Sequence, residues 1–189
     1  EGTITGGAIH QENANPVFED CRFIENQAFA SIPSVTFVGF YEDEASEVPV
    51  YMRGGAIYAS YDSGISVQSC EFTGSVSSAI YAEGYNAVDC NDCVFSQNEA
   101  NGDNQEYASF YSYTWIINDE GQIEIVPMFN LGGMPLEYSG GALFVGPFCP
   151  EVSLRDCHFY SNTSTAGGGA VRLMSDAEMS DCSFSGNKA

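Results

Sequence analysis

The chain has 189 residues, 26 acidic and 5 basic, for a net charge of −21. A surface of that sign repels nucleic acid and anionic lipid, so neither is expected as a partner. No apolar run approaches the ~18 residues that span a bilayer, so no membrane insertion is expected, and the length suits one domain, 1–189.

GGAIH at 6–10 opens a first unit and CRFIEN at 21–26 closes it. Short apolar runs broken by Asn, Asp and Pro, with no helical stripe, predict strands here. Cys21 and Phe23 stand two apart and share a face, with Arg22 on the opposite one. Phe18 and Pro16, three and five residues before the Cys, continue the inward series. Ile9 is expected inward and His10 outward. Residues 27–53 then leave this pattern. SVTFVGFY, the acidic EDEASE and VPVYM read as a β-hairpin. With Phe37, Phe40 and Tyr41 it is too apolar to stand in water, and is expected to pack on its own coil or on another molecule.

The motif pair returns as GGAIY at 54–58 with CEFTGS at 70–75, and as SSAIY at 77–81 with CVFSQN at 93–98. A second insertion, 99–139, reads YASFYSYTWIIN, DEG and QIEIVPMF, again a hairpin. It carries Tyr111, Tyr113 and Trp115, the one Trp of the chain, as candidate assembly contacts. GGALF at 140–144 with CHFYSN at 157–162, then GGAVR at 168–172 with CSFSGN at 182–187, complete five copies.

Five copies of two linked motifs define a repeat protein. The shortest period, 23 residues from Ala56 to Ala79, suits one coil of a solenoid, and the Leu-x-x-Leu-x-Leu pattern of the helical alternative is absent. The expected fold is all-β: a parallel β-helix of about five coils with two β-hairpin insertions. Stacking places like residues over like, about 4.8 Å apart. The Gly pair fits a corner needing positive φ or close backbone approach. Asn26, Asn98, Asn162 and Asn187 are expected in a left-handed turn, with Ser75 replacing Asn once. Cys21, Cys70, Cys93, Cys157 and Cys182 form one column, read as small buried hydrophobes. Their spacing does not suit zinc, and a disulfide between neighbouring coils is the alternative. Cys90 falls on a core position and Cys149 lies off the pattern.

GGA[ILV] paired with FxxN, as in FIENQA, FSQNEA and FSGNKA, resembles the repeats of chlamydial polymorphic outer-membrane proteins and of a wider group of surface β-helix proteins. The resemblance covers all five coils but not the insertions. It implies a right-handed parallel β-helix and an extracellular or cell-surface setting, and says little of activity. The family's membrane barrel has no counterpart in these residues, so autotransport is not among the expectations.

Asp20, Asp92, Asp156 and Asp181 precede four of the column cysteines, with Ser69 at the fifth. A column of Asp needs an offset: either each bonds turn N–H groups, or Ca²⁺ is shared between coils. No other cofactor is expected. Asn162-Thr163-Ser164 is a glycosylation sequon in conflict with the Asn column, since a glycosylated Asn162 must turn outward. His10 and His158 sit at outward positions. Lyases on acidic sugars need a basic groove that five scattered bases do not supply, and no Ser-His-Asp or phosphate-loop pattern is present.

Joined, the two ends read FSGNKAEGTITGGAI, a full linker from motif to motif, closing a coil of 27 residues. The expectation is one period of a longer array, or a subunit stacking head to tail into a filament. The leading function is thus a non-catalytic, acidic extracellular structural protein forming a cell-surface rod or fibril, self-associated and open to glycosylation. An adhesin-like module gripping glycan or protein is second, and a carbohydrate-active enzyme third.

Overall fold

The computed structural model describes residues 2–5, 7–27, 34–38, 45–60, 62–84, 86–100, 110–117, 123–131, 139–165 and 167–189. These residues are all-β, and the five repeats wind into a parallel β-helix. Sheet A holds Ile9–Glu12, Ile57–Ser60, Ile80–Glu83, Leu143–Val145 and Val171–Leu173. Sheet B holds Val17–Glu19, Ile65–Gln68, Ala87–Asn91, Glu151–Arg155 and Glu178–Ser180. Sheet C holds Arg22–Ile24, Glu71–Thr73, Val94–Ser96, His158–Tyr160 and Ser183–Ser185. Strands stack in chain order within each sheet, so each coil contributes one strand to each face. A shorter fourth ladder joins Gln27, Val76, Glu99, Thr163 and Lys188.

Register keeps the repeat aligned. Ile9, Ile57, Ile80, Leu143 and Val171 form one inward column. Phe18, Val67, Cys90, Leu154 and Met179 form a second. Phe23, Phe72, Phe95, Phe159 and Phe184 form a third, their rings stacked face to face at 4.7 to 4.9 Å. Period-2 alternation along each strand is what aims these side chains inward, and burying each Phe contributes roughly 1.5–3 kcal/mol. Outward partners match across coils too: Arg22 pairs with Glu71 at 2.8 Å, which holds the Glu71 carboxyl below its ordinary range.

The corners that join sheets B and C are two residues long, the second being the column Cys. Between sheets B and C stand Asp20, Ser69, Asp92, Asp156 and Asp181, all at φ between 50° and 53°. Asp enters this left-handed region more readily than most residues. At the GGA corner the second Gly is required for a different reason. A Cβ on Gly55 would overlap the Val76 carbonyl, and one on Gly141 the Gly169 carbonyl of the next coil. Coil three manages with Ser77 and Ser78 at φ of 73° and 60°.

Both insertions contain the expected hairpins. In the first, Ser34–Val38 pairs antiparallel with Ala45–Arg53. The second of these strands also pairs, in parallel, with Gly2–Thr5, which makes a three-stranded sheet. In the second, Phe110–Ile117 pairs antiparallel with Ile123–Leu131. Residues 104–137 form a compact unit of their own, distinct from the unit built by 1–103 and 138–189. Among the described residues, Phe110–Ile117 and Ile123–Leu131 of the second insertion pair with each other, while Glu99–Ala100 and Ser139–Gly140 at its two ends pair with strands of the coils.

The outward column that begins at His10 continues through Tyr58, Tyr81 and Phe144, yet these three are buried. They stack on one another with centroids 5.8 and 4.4 Å apart, and the Tyr58 hydroxyl bonds the Glu83 carboxylate. Columnar stacking removes their faces from water even outside the coil.

Candidate functional site

The polar column inside the coil is a bonded asparagine ladder. Asn98 donates both its main-chain N–H and its side-chain Nδ2 to the Asn162 Oδ1, each at 3.0 Å. Asn162 repeats the pair of bonds onto the Asn187 Oδ1. Each Nδ2 also reaches back one coil to a carbonyl: Asn98 to Phe72, Asn162 to Phe95 and Asn187 to Phe159. Burial in a low-dielectric interior makes these bonds costly to leave unmade.

The left-handed residue at this corner is therefore not the Asn. It is the residue before it: Glu25, Gly74, Gln97, Ser161 and Gly186, at φ of 52° to 67°. That neighbour turns the chain so that the Asn side chain can point inward and bond. Asn162 is fully buried with its amide engaged on both sides, so a glycan there requires the side chain to leave the column.

The ladder has one gap. Ser75 accepts nothing from Asn26, and its buried hydroxyl has no hydrogen-bond partner, although its N–H donates to the Asn98 Oδ1 at 2.9 Å. Ser75→Asn restores the missing rung. It is expected to raise stability by about 1 kcal/mol, the usual net worth of a buried hydrogen bond, read as a higher urea midpoint at unchanged slope.

The cysteine column is a ladder of thiols, and all seven cysteines are free. Cys70, Cys93 and Cys157 each donate to the carbonyl two residues back at 3.2 Å. Each also lies 3.4 to 3.5 Å from a carbonyl of the preceding coil, so cross-coil bonding replaces bridging. Cys90 and Cys149 are buried in the main core, and the Cys149 thiol reaches the Gly84 carbonyl at 3.2 Å. Burial pushes the Cys70, Cys90, Cys149 and Cys182 thiols above their ordinary range. For Cys157 the hydrogen bond with the Cys93 thiol acts first and burial second. Raised folded values mean that this stabilisation is complete below the unfolded thiol value, about 8.5, and is lost as pH rises above it. The urea midpoint should hold to about pH 8 and fall beyond about pH 9. Cys90→Val should relieve the slope by about one proton, ~1.4 kcal/mol per pH unit; an unchanged slope would count against the buried-thiol cause.

Asp20, Asp92, Asp156 and Asp181 are exposed at their corners, and the Ser69 hydroxyl donates to Asp92 at 3.0 Å. Among the described residues no three or more His, Cys, Asp or Glu side chains converge as a metal site, and the left-handed turn by itself accounts for Asp at these positions. His158 is exposed and bonds Ser183 at 2.7 Å, while His10 lies edge-on to Tyr58. Of the hairpin residues, Phe37 lies on Ser34–Val38, and Tyr111, Tyr113 and Trp115 lie on Phe110–Ile117. Phe40 and Tyr41 lie outside the described residues.

Two surface features remain. The last coil leaves its inward side chains uncovered: Phe184 is 48 % exposed and Met179 51 %, whereas Phe23 in the first coil is 8 % exposed. Along the outside of sheet B runs an open groove of about 700 Å³. Val17, Ser66, Asp89, Ser153 and Glu178 line it as one register column, and Arg155 bonds Asp89 across it at 2.8 Å. The repeat spacing exposed both columns of the ladder in the sequence. The Asn bonding, the left-handed partner before each Asn and the groove had no local signal. In comparison with protein-family models, curated proteins and solved structures, nothing matches this chain.

Proposed function

We propose that this is a non-catalytic structural protein of the cell surface or extracellular space, whose coils stack end to end into a rod or fibril. The observation that supports it most is the register of the coils. The aromatic column runs in register from Phe23 to Phe184, ring on ring, and a parallel strand edge of this kind is a template for further strands. The strongly acidic surface and the resemblance of the repeat to surface β-helix proteins support the location. Electron microscopy of the undigested protein at moderate concentration tests the reading. Five coils should rise about 24 Å along the axis, so filaments with a repeat near that value are expected. Discrete particles at every concentration would overturn it.

A second reading, an adhesin-like binding module, is favoured by the sheet B groove. Its column of Ser66, Asp89 and Ser153 offers hydrogen-bonding groups in line with the coil axis. On this reading a glycan array gives hits that Arg155→Ala weakens.

A further inference from the structure

The groove outside sheet B changes character along its length. Both insertions lie between a sheet C strand and the next sheet A strand, so the chain places none of their residues among the strands of sheet B. In the second and third coils the lining residues Gly64, Ser66 and Ala87 are small, and the floor sinks there. Toward the first coil the lining is Pro16 and Val17, and Val17 is 62 % exposed. Toward the fifth it is Glu151, Asp176 and Glu178, all exposed and without an ion pair among the described residues. Asp89, between these ends, is already offset by Arg155 at 2.8 Å. One end is therefore apolar, and the other holds negative charge that no cation of the chain answers. The column from Val17 to Glu178 crosses four coil spacings, about 19 Å. No aromatic ring is among the lining residues, so a sugar finds no ring face to stack on.

Resting on the binding-module reading, we propose that this groove holds an extended segment of a partner protein, apolar at one end and carrying Lys or Arg at the other. A polyproline-type strand rises about 3.1 Å per residue, so about six residues fill the length. Such a strand makes no internal hydrogen bonds and keeps its backbone solvated, so it can lie across a sheet face that offers no strand edge. The Ser66 and Ser153 hydroxyls stand in line beneath it. Its apolar residues cover Pro16 and Val17, and its cations come over Glu151, Asp176 and Glu178. The net charge of −21 adds long-range attraction for a cationic segment, which salt weakens.

The test is fluorescence anisotropy with a labelled, end-blocked hexapeptide: a Pro-Val-Pro half followed by a half of lysines. Its isomer, with the same residues alternating, carries the same charge. The segregated peptide is expected to bind about tenfold tighter than the isomer. Glu151→Gln with Glu178→Gln should weaken it about tenfold, while Glu25→Gln with Glu71→Gln, which removes the same charge from the sheet C side, should not. Arg155→Ala frees Asp89 and should tighten peptide binding about threefold, the opposite sign to the loss expected for a glycan. Equal affinity for the two isomers, or equal weakening by the two double variants, means unspecific attraction to an acidic surface and overturns the proposal. Glycan binding that Arg155→Ala weakens, without peptide binding, also overturns it but leaves the binding-module reading standing. Binding of neither peptide nor glycan overturns both.

Discussion

Replacing Phe95 with Ala is expected to cost about 3–5 kcal/mol, the largest single loss in this fold. Phe95 is fully buried, with Phe72 on one face and Phe159 on the other, both centroids 4.8 Å away and both rings within 5° of parallel. Truncation removes its transfer free energy, leaves a cavity the rigid stack cannot close, and breaks two aromatic contacts. Against a typical total of about 5–15 kcal/mol, that is enough to leave the variant marginal at room temperature. Phe184→Ala is the internal control. It removes the same atoms at the open end, where half the ring is already in water and one stacking partner is missing. Urea unfolding of the unassembled chain should show a much larger midpoint shift for Phe95→Ala, and equal shifts would refute the stacked-column account.

Asn162→Asp is expected to cost about 3 kcal/mol or more at neutral pH while changing the side-chain volume hardly at all. The carboxylate can still accept from the Asn98 donors, but it loses the donors that serve the Phe95 carbonyl and the Asn187 Oδ1. Its charge would also sit in a fully buried site. The sign of the pH dependence separates the two causes. Burial raises the folded pKa of the new carboxyl above the unfolded value of about 3.9, so the charge penalty is absent below that pH and grows as pH rises through it. Stability curves of parent and variant should converge toward acid and diverge toward neutrality. A loss independent of pH would mean that lost hydrogen bonds, not charge burial, dominate.

The surface pairs call for smaller expectations. Arg22 with Glu71 and Arg155 with Asp89 both lie in solvent, where screening leaves an ion pair little net effect on stability. Stability here resides in the inward columns, so surface variants such as those used to probe the groove leave the coil intact.

The sequence by itself determined the coil. A period as short as 23 residues, the i, i+2 pairing of Cys with Phe, and the interruptions at 27–53 and 99–139 are local patterns. Alternation is set by strand geometry alone, so the inward columns of Ile9, Phe18 and Phe23 and their repeats could be aligned before any distance was known. The tertiary structure decided what those local patterns leave open. Asn98 could be assigned to its column but not to its bonds, because the Asn162 Oδ1 it reaches lies 64 residues away. Whether Asn or its predecessor takes the left-handed conformation depends on where the next coil puts its acceptor. Tyr58, Tyr81 and Phe144 were legible as outward but not as buried, since their burial comes from rings in neighbouring coils. The groove along sheet B likewise emerges only once the coils are stacked, because which residues line it is a property of distance between coils and not of order along the chain.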